Sequence, residues 1–314
     1  MTTRFRLLPL VLLLFLLPLF VHSSFYLHML IMTAVNVIMA TSLWLILRSG
    51  QLSIGHAAFM AIGAYASTLL VMRADVAFWL ALPLAGLIAA VVAVLVGYPS
   101  LRLKGLFFAL VTFAFAEIVR VVFNSFGKGL FGGASGISGI PHPNMFGIDI
   151  VSRTSYYYLV LPLMLFTIVA IHRIDKSRIG MTLVAIGNAD VLAESLGVNI
   201  MRYKVFAFVI GSFFAGVAGA FFASYLRHIS PESFTFWLSV YVLIYVVVGG
   251  SGTIAGPIVG ACTLSAFSEG FRSFGDYEPI VYGIALIAVS CFSLPASLAC
   301  PAGCASWRGK SERS

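Results

Sequence analysis

The sequence predicts an all-α fold: a polytopic membrane helix bundle of about ten transmembrane or re-entrant helices, with one short helix held outside the bilayer. Three observations predict it. Hydrophobic residues make up 61% of the chain and charged residues 10%, for a mean hydropathy of +1.04, whereas soluble domains carry about 25% charged residues. Apolar runs close to the roughly 20 residues that cross a bilayer recur along the whole length, which selects helices over a β-barrel. Polar residues collect in connections between those runs, above all in 172–204. Residues 1–314 therefore read as one integral membrane domain, with a basic loop over 172–204 and a tail over 295–314.

The elements follow in order. Arg4 and Arg6 precede an apolar run from Leu7 to Val21, read as a retained first helix and not as a cleaved signal, although Pro9 and Pro18 weaken it. The second span, Phe25 to Leu47, sets Thr33, Asn36 and Ala40 on one stripe. That stripe should face protein, because an amide turned to lipid lacks partners. From Arg48 to Tyr65 a polar, glycine-containing turn runs into a helix of small residues that continues to about Met72. Gly50 and Gly55 let the backbone bend, while Gln51, Ser53 and His56 bring hydrogen-bonding groups to the entry of the membrane. The segment reads either as an interfacial helix cap or as part of a gate or pathway.

The fourth span runs from Phe78 to Gly97, and Arg102 and Lys104 follow it. In the fifth, Leu106 to Phe123, Ala109, Thr112, Ala116 and Arg120 align, with Glu117 on the flank. A carboxylate inside a membrane helix is costly, and Arg120 one turn away is its natural partner. Two readings stand: a structural pair near the outer interface with Arg120 snorkelling, or a direct role in transport. Asn36, Gln51, Ser53, His56, Thr112, Glu117 and Arg120 are thus the candidates for a translocation path.

Residues 124–155 form a glycine-rich loop without the GxxxxGK[ST] pattern of a nucleotide-binding loop. A short sixth span, Tyr156 to Ile171, leads to the basic loop. The seventh, Val205 to Leu226, carries Gly211, Ala215, Gly219 and Ala223 at four-residue spacing; Gly252, Gly256 and Gly260 repeat the device in the ninth. Such stripes let helix backbones approach closely. The eighth span, Trp237 to Val248, and the ninth, Ile254 to Phe267, are short enough to be broken or re-entrant. The last runs from Ile280 to Leu294.

Within 172–204 the pattern predicts a short helix. Asn188 is placed as its N-cap, Asp190 lies in the first turn where a negative charge suits the helix dipole, and Gly197 closes it at C′. Val191, Leu192, Ser195 and Leu196 share a face, with Glu194 elsewhere on the surface. A helix this short does not stand alone in water, so it needs a surface to dock into.

The net charge of +8 raises the question of nucleic acid, but the basic residues are spread along short loops and read as topology signals, with no nucleic-acid partner. With ten spans and the N-terminus inside, thirteen of the nineteen Lys and Arg fall inside. Both termini and the loop 172–204 are then cytoplasmic. Of the four cysteines, Cys300 and Cys304 lie close together, but all six histidines lie elsewhere, so no metal site is expected. Neither HExxH nor GxSxG occurs, so no catalytic residue is assigned and an enzyme is disfavoured.

Four stretches carry a resemblance to a known family: SGQLSIGHAAFMAIGAYAS (Ser49 to Ser67), LRLKGLFFALVTFAFAEIVR (Leu101 to Arg120), GGASGISGIP (Gly132 to Pro141), and a long stretch from Arg178 to Ala261 that includes NADVLAESLGVN. They resemble the permease subunit of bacterial branched-chain amino acid ABC transporters, the larger of the two related permease types. The resemblance implies an importer in the bacterial inner membrane for leucine, isoleucine and valine. It implies a second permease sharing the path, two cytoplasmic ABC ATPases that hold the ATP and magnesium, and a periplasmic substrate-binding protein. No cofactor is then bound by this chain. By similarity, the turn around Ala193, Glu194, Leu196 and Gly197 couples to an ATPase, which makes 172–204 a coupling loop. An ABC permease for urea or short amides is an alternative, as is an ion-coupled secondary transporter using Glu117. Two departures from the family pattern stand out: Gly187 where a basic residue is often found, and the tail LPASLACPAGCASW after Ser293.

The topology has a direct check. A cysteine introduced as Asn188→Cys should resist membrane-impermeant maleimides in intact cells and react once the inner membrane is permeabilised; labelling in intact cells would place the loop outside.

Overall fold

A computed structural model describes residues 23–271, except Lys104, Phe126, Gly127, Phe146 and Gly147, together with Phe15, Pro18 and Gly283. The expected spans Leu7 to Val21 and Ile280 to Leu294, and the tail 295–314, lie outside the described residues but for Phe15, Pro18 and Gly283. The chain divides into two compact units, Met1–Ser265 and Ala266–Ser314. The account below concerns the first.

The described helices are α1 (Ser24–Leu47), α2 (His56–Arg73), α3 (Phe78–Ser100), α4 (Leu106–Ser125), the single turn α5 (Lys128–Phe131), α6 (Arg153–Asp175), α7 (Arg178–Asn188), α8 (Asp190–Ser195), α9 (Ile200–Leu226), α10 (Phe236–Gly249) and α11 (Ala255–Phe271). Among the described residues, six segments are long and apolar enough to cross a membrane: α1, α3, α4, α6, α9, and 231–249, in which a 3₁₀ turn extends α10. The protein is a multi-pass membrane protein. Two spans read as short in the sequence are longer in the structure. The sixth has 23 residues because Ser152 caps it early, its Oγ accepting from Ser155 N–H, and the eighth reaches 19 with its 3₁₀ turn.

α9 is the post around which the bundle is built, and it packs chiefly against α2, α3 and α1. One glycine serves each neighbour. A Cβ on Gly211 would stand 2.8 Å from Ile46 Cδ1 of α1, one on Gly216 would stand 2.6 Å from Ala89 Cβ of α3, and one on Gly219 would strike the Met60 carbonyl of α2. Gly63 of α2 faces the backbone of Gly216 in the same way. Ala81, Ala85, Ala89 and Ala93 of α3 are wholly buried, while Leu80, Leu87, Val91 and Leu95 are exposed. In lipid the exposed face costs nothing, and close packing of small residues supplies the association that the hydrophobic effect supplies in water.

Of the seven residues expected to pack helices, Gly211, Ala215, Gly219 and Ala223 lie buried in α9. Gly256 and Gly260 of α11 meet the backbone of α10 at Tyr245 and Gly249 and that of Gly250 just beyond its end. Gly252 does not pack. It is exposed in the turn before α11 with open space around its Cα, and Gly249 takes the place expected of it. The spacing continued the stripe one turn beyond the point where the helix begins.

The loop 124–155 is partly ordered by short pairings. β1 (Ile137–Ser138) pairs antiparallel with β4 (His228–Ile229), and β2 (Asn144–Met145) pairs with β3 (Ile148–Asp149). This loop lies at the bundle end that also holds Arg120, Arg227 and Glu232, opposite the end that holds Arg48, Asp175 and Gly187.

Replacing Gly219 by alanine should destabilise the fold by about 1–3 kcal/mol, since the new methyl meets backbone and no movable side chain. Gly252→Ala should leave it unchanged. Thermal unfolding in detergent, followed by size-exclusion chromatography, compares the two; equal melting temperatures would remove α9 from the centre of the packing.

Candidate functional site

α1 ends in a turn in which Ser49 and Gly50 donate backbone N–H groups to Ile46 O (3.0 Å) and Leu47 O (2.9 Å). Gly50 has φ 75°, a conformation glycine adopts without strain. The chain then runs to His56 without regular secondary structure, through the interior of the bundle. Gln51, Ser53 and His56 are each at most 1% exposed. The segment is held from three sides. Ile54 N–H donates to Thr112 Oγ1 of α4 at 3.1 Å, and Gly55 lies so close to that helix that a Cβ would be 2.5 Å from Thr112 O. Ala57 N–H donates to Ser239 Oγ of α10 at 2.8 Å. His56 Nε2 lies 2.8 Å from Ser42 Oγ of α1. Ser42 already donates to Met39 O, so a neutral His56 donates through Nε2–H and keeps Nδ1 as an acceptor.

Three buried polar atoms of this segment, Gln51 Oε1, Ser53 Oγ and His56 Nδ1, have no hydrogen-bond partner among the described residues. Buried polar groups are nearly always paired, and leaving one unpaired costs about 1–3 kcal/mol. Three within six residues mark a segment built for more than packing. Thr112 belongs to this constellation; Ser42 and Ser239 complete it, and sequence reasoning missed both because a single serine in an apolar helix gives no signal.

The other path candidates lie elsewhere. Asn36 Nδ2 donates to Ser265 Oγ at 2.9 Å and ties α1 to α11, as the expected protein-facing stripe requires. Glu117 and Arg120 do not reach the polar segment. Arg120 Nε donates to Glu117 Oε2 at 2.9 Å, and its Nη1 donates to Glu232 Oε1 at 2.8 Å. The three side chains are 27%, 29% and 61% exposed for Arg120, Glu117 and Glu232. The expected pairing of Glu117 with Arg120 is present, enlarged by a third member from the turn before α10, which the sequence did not link to it.

At the opposite end, residues 172–204 hold two helices and not one. α7 buries Gly180, Leu183 and Ile186 along one face. Asn188 is not an N-cap: it is the last residue of α7, because the helical pattern beginning at Arg178 already uses its backbone. Ala189 alone separates α7 from α8, and Asp190 Oδ1 accepts from Val191 N–H at 2.9 Å in the first turn. Gly197, with φ 82°, closes α8: its N–H donates to Glu194 O and Val198 N–H to Ala193 O, the paired bonds of a Schellman motif. Ala193 is buried beneath, while Val191, Leu192 and Leu196 are 71%, 62% and 77% exposed. Three large apolar side chains are thus left exposed together on one turn at the end of the bundle that holds Arg48 and Asp175. Glu194 lines a cleft with Arg102, Asp190 and Lys204 beside it.

Among the described residues no three His, Cys, Asp or Glu side chains come together. Comparison with known proteins gives the arrangement a family. The family model described as branched-chain amino acid transport system / permease component matches residues 25–290. The chain is 36% identical over 276 residues to the high-affinity branched-chain amino acid transport system permease protein LivM of Salmonella typhimurium, an alignment covering 80% of this chain and 65% of that one. It is 37% identical over 259 residues to the LivM protein of Escherichia coli K12, covering 75% and 60%. The chain thus spans less than two thirds of the length of these relatives. No solved structure matches it. With a family model matched across nearly all of the described helices, the chain belongs to the branched-chain amino acid transport system permease family.

Proposed function

We propose that this chain is a membrane-spanning permease subunit of an ATP-driven importer for leucine, isoleucine and valine. The observation that carries the reading is the identity of 36–37% over 75–80% of the chain to two permeases named for that transport. The chain would sit in the bacterial inner membrane with both termini cytoplasmic. It would share the path with a second permease, receive substrate from a periplasmic binding protein, and take its energy from two cytoplasmic ATPases that bind the ATP and magnesium.

The geometry supports a division of labour. Val191, Leu192 and Leu196, exposed on α8 with Asp190 and Glu194 beside them, form the ATPase-docking face. Gln51, Ser53 and His56, with Thr112, are the polar groups placed to meet a zwitterionic substrate inside an apolar bundle. Glu117 and Arg120 serve the fold, since each charge finds its partner within the same cluster. Transport follows from alternating access: ATPase closure moves the docking helices, and the two permeases exchange which side of the polar segments is open.

Proteoliposomes holding both permeases and both ATPases, with binding protein outside and ATP inside, should accumulate radiolabelled leucine. Uptake that ignored ATP and followed an imposed proton gradient would refute the ABC assignment, and ATP-driven uptake of urea without leucine would change the substrate. Leu192→Asp should weaken ATPase association by roughly 2 kcal/mol, about thirtyfold, as loss of a central apolar anchor does. Pull-down of the ATPases with unchanged amounts of inserted permease reads the effect; undiminished association would put the docking face elsewhere.

A further inference from the structure

We propose that the contact of Gly187 with the Arg48 to Gly50 turn, locked by the Arg48–Asp175 ion pair, is the joint through which the docking turn moves the buried polar segment 51–56. The inference rests on the proposed function and assigns positioning roles within it.

The joint is built backbone to backbone. A Cβ on Gly187 would stand 2.6 Å from Arg48 O and 3.2 Å from Gly50 N, and one on Gly50 would stand 3.1 Å from Gly187 Cα. No side chain lies between α7 and the turn, so no rotamer change can absorb a displacement of one against the other. This accounts for glycine at 187 in this chain: a basic residue there would strike the Arg48 carbonyl. The ion pair fixes the same turn from a second side. Arg48 Nη2 and Nε both donate to Asp175 Oδ1, at 2.9 and 3.2 Å, and the Asp175 side chain is only 9% exposed. Asp175 ends α6 just before α7 begins, so the turn is gripped near both ends of α7. The Arg48 guanidinium also lies 4.9 Å above the Trp44 ring, whose Nε1 donates to Ser251 O between α10 and α11.

Each side of the joint is connected onward. On one side Ala189 N–H donates to Ala185 O, and Ala189 O accepts from Ala193 N–H, so α8 is tied to α7 across the single residue between them. On the other side Gly50 is bonded directly to Gln51, and the next residues carry the unpartnered Gln51 Oε1, Ser53 Oγ and His56 Nδ1. Residues 51–55 have no helical ladder of their own, and the stretch is held by three side-chain hydroxyls, Thr112 Oγ1 at Ile54, Ser42 Oγ at His56 and Ser239 Oγ at the adjoining Ala57. It is therefore the softest connection between the docking turn and the bundle interior. Displacement of α7 reaches it with nothing compliant in between.

The test uses the complete transporter in proteoliposomes, measuring leucine uptake and ATP hydrolysis together. A parallel readout is modification of Ser53→Cys by a small thiol reagent, with and without ATP, in a background lacking the four native cysteines. Asp175→Asn and Gly187→Ala should each retain ATPase association and hydrolysis, lower leucine carried per ATP by about tenfold, and abolish the ATP dependence of labelling at position 53. Arg48→Asp combined with Asp175→Arg should recover part of the ratio. Arg48→Lys, which keeps the charge and loses the second donor, should fall between; it serves where the harsher variants accumulate poorly. Wild-type liposomes without ATP-driven uptake would overturn the proposed function and the joint with it. Wild-type uptake, with an unchanged ratio and unchanged labelling in the variants, would overturn the joint alone.

Discussion

Everything in this bundle depends on how closely α9 and α2 approach. Lipid tails are as apolar as leucine, so helices in a membrane gain nothing by hiding apolar surface from their surroundings. What remains is dispersion between well-fitted surfaces, and that grows steeply as backbones come together. Gly63, Gly216 and Gly219 provide the approach, with the buried alanines of α3 completing it on another side. Once α9 is fixed, α1, α2 and α3 are fixed around it, and the positions of α4 and α10 against α2 follow.

That tight centre is what makes an irregular polar segment tolerable beside it. Residues 51–55 forgo helical hydrogen bonds inside the bundle, which a membrane permits only where the backbone is buried in protein or lines a cavity. The segment finds donors' partners in Thr112 and Ser239 and leaves three side-chain atoms unmatched. A helix running on unbroken from α1 would have avoided the cost. The segment's unmatched atoms, lying between the two helices that grip the post, are the observation on which the proposed path rests.

The two ends of the bundle divide the remaining charge chemistry. At one end Arg120 joins two carboxylates from separate elements and holds α4 to the turn before α10. At the other, Arg48 binds Asp175 next to the α7–α8 pair, on which Val191, Leu192 and Leu196 stand exposed among the described residues. The first cluster is closed upon itself. The second leads outward, to the exposed turn of α8, and inward, through Gly50, to the polar segment.

The sequence by itself determined the class of the fold, most helix boundaries to within a few residues, the glycine stripe of α9, the Glu117–Arg120 pair and the exposed face of α8. Each is a local property: hydropathy over a window, spacing along a helix, a glycine that ends a turn. It misplaced Asn188 as a cap and Gly252 as a packing residue, because a good cap residue can equally close the preceding helix and a four-residue spacing can run past a helix end. Only the tertiary structure decided that Gly187 lies against Arg48 and Gly50, that Glu232 joins the ion pair, and that Ser42 and Ser239 reach the polar segment. Those contacts join residues from 14 to 182 positions apart in the chain. No periodicity encodes them, since they depend on how far each helix slides and turns when the small residues of α9 let its neighbours close in.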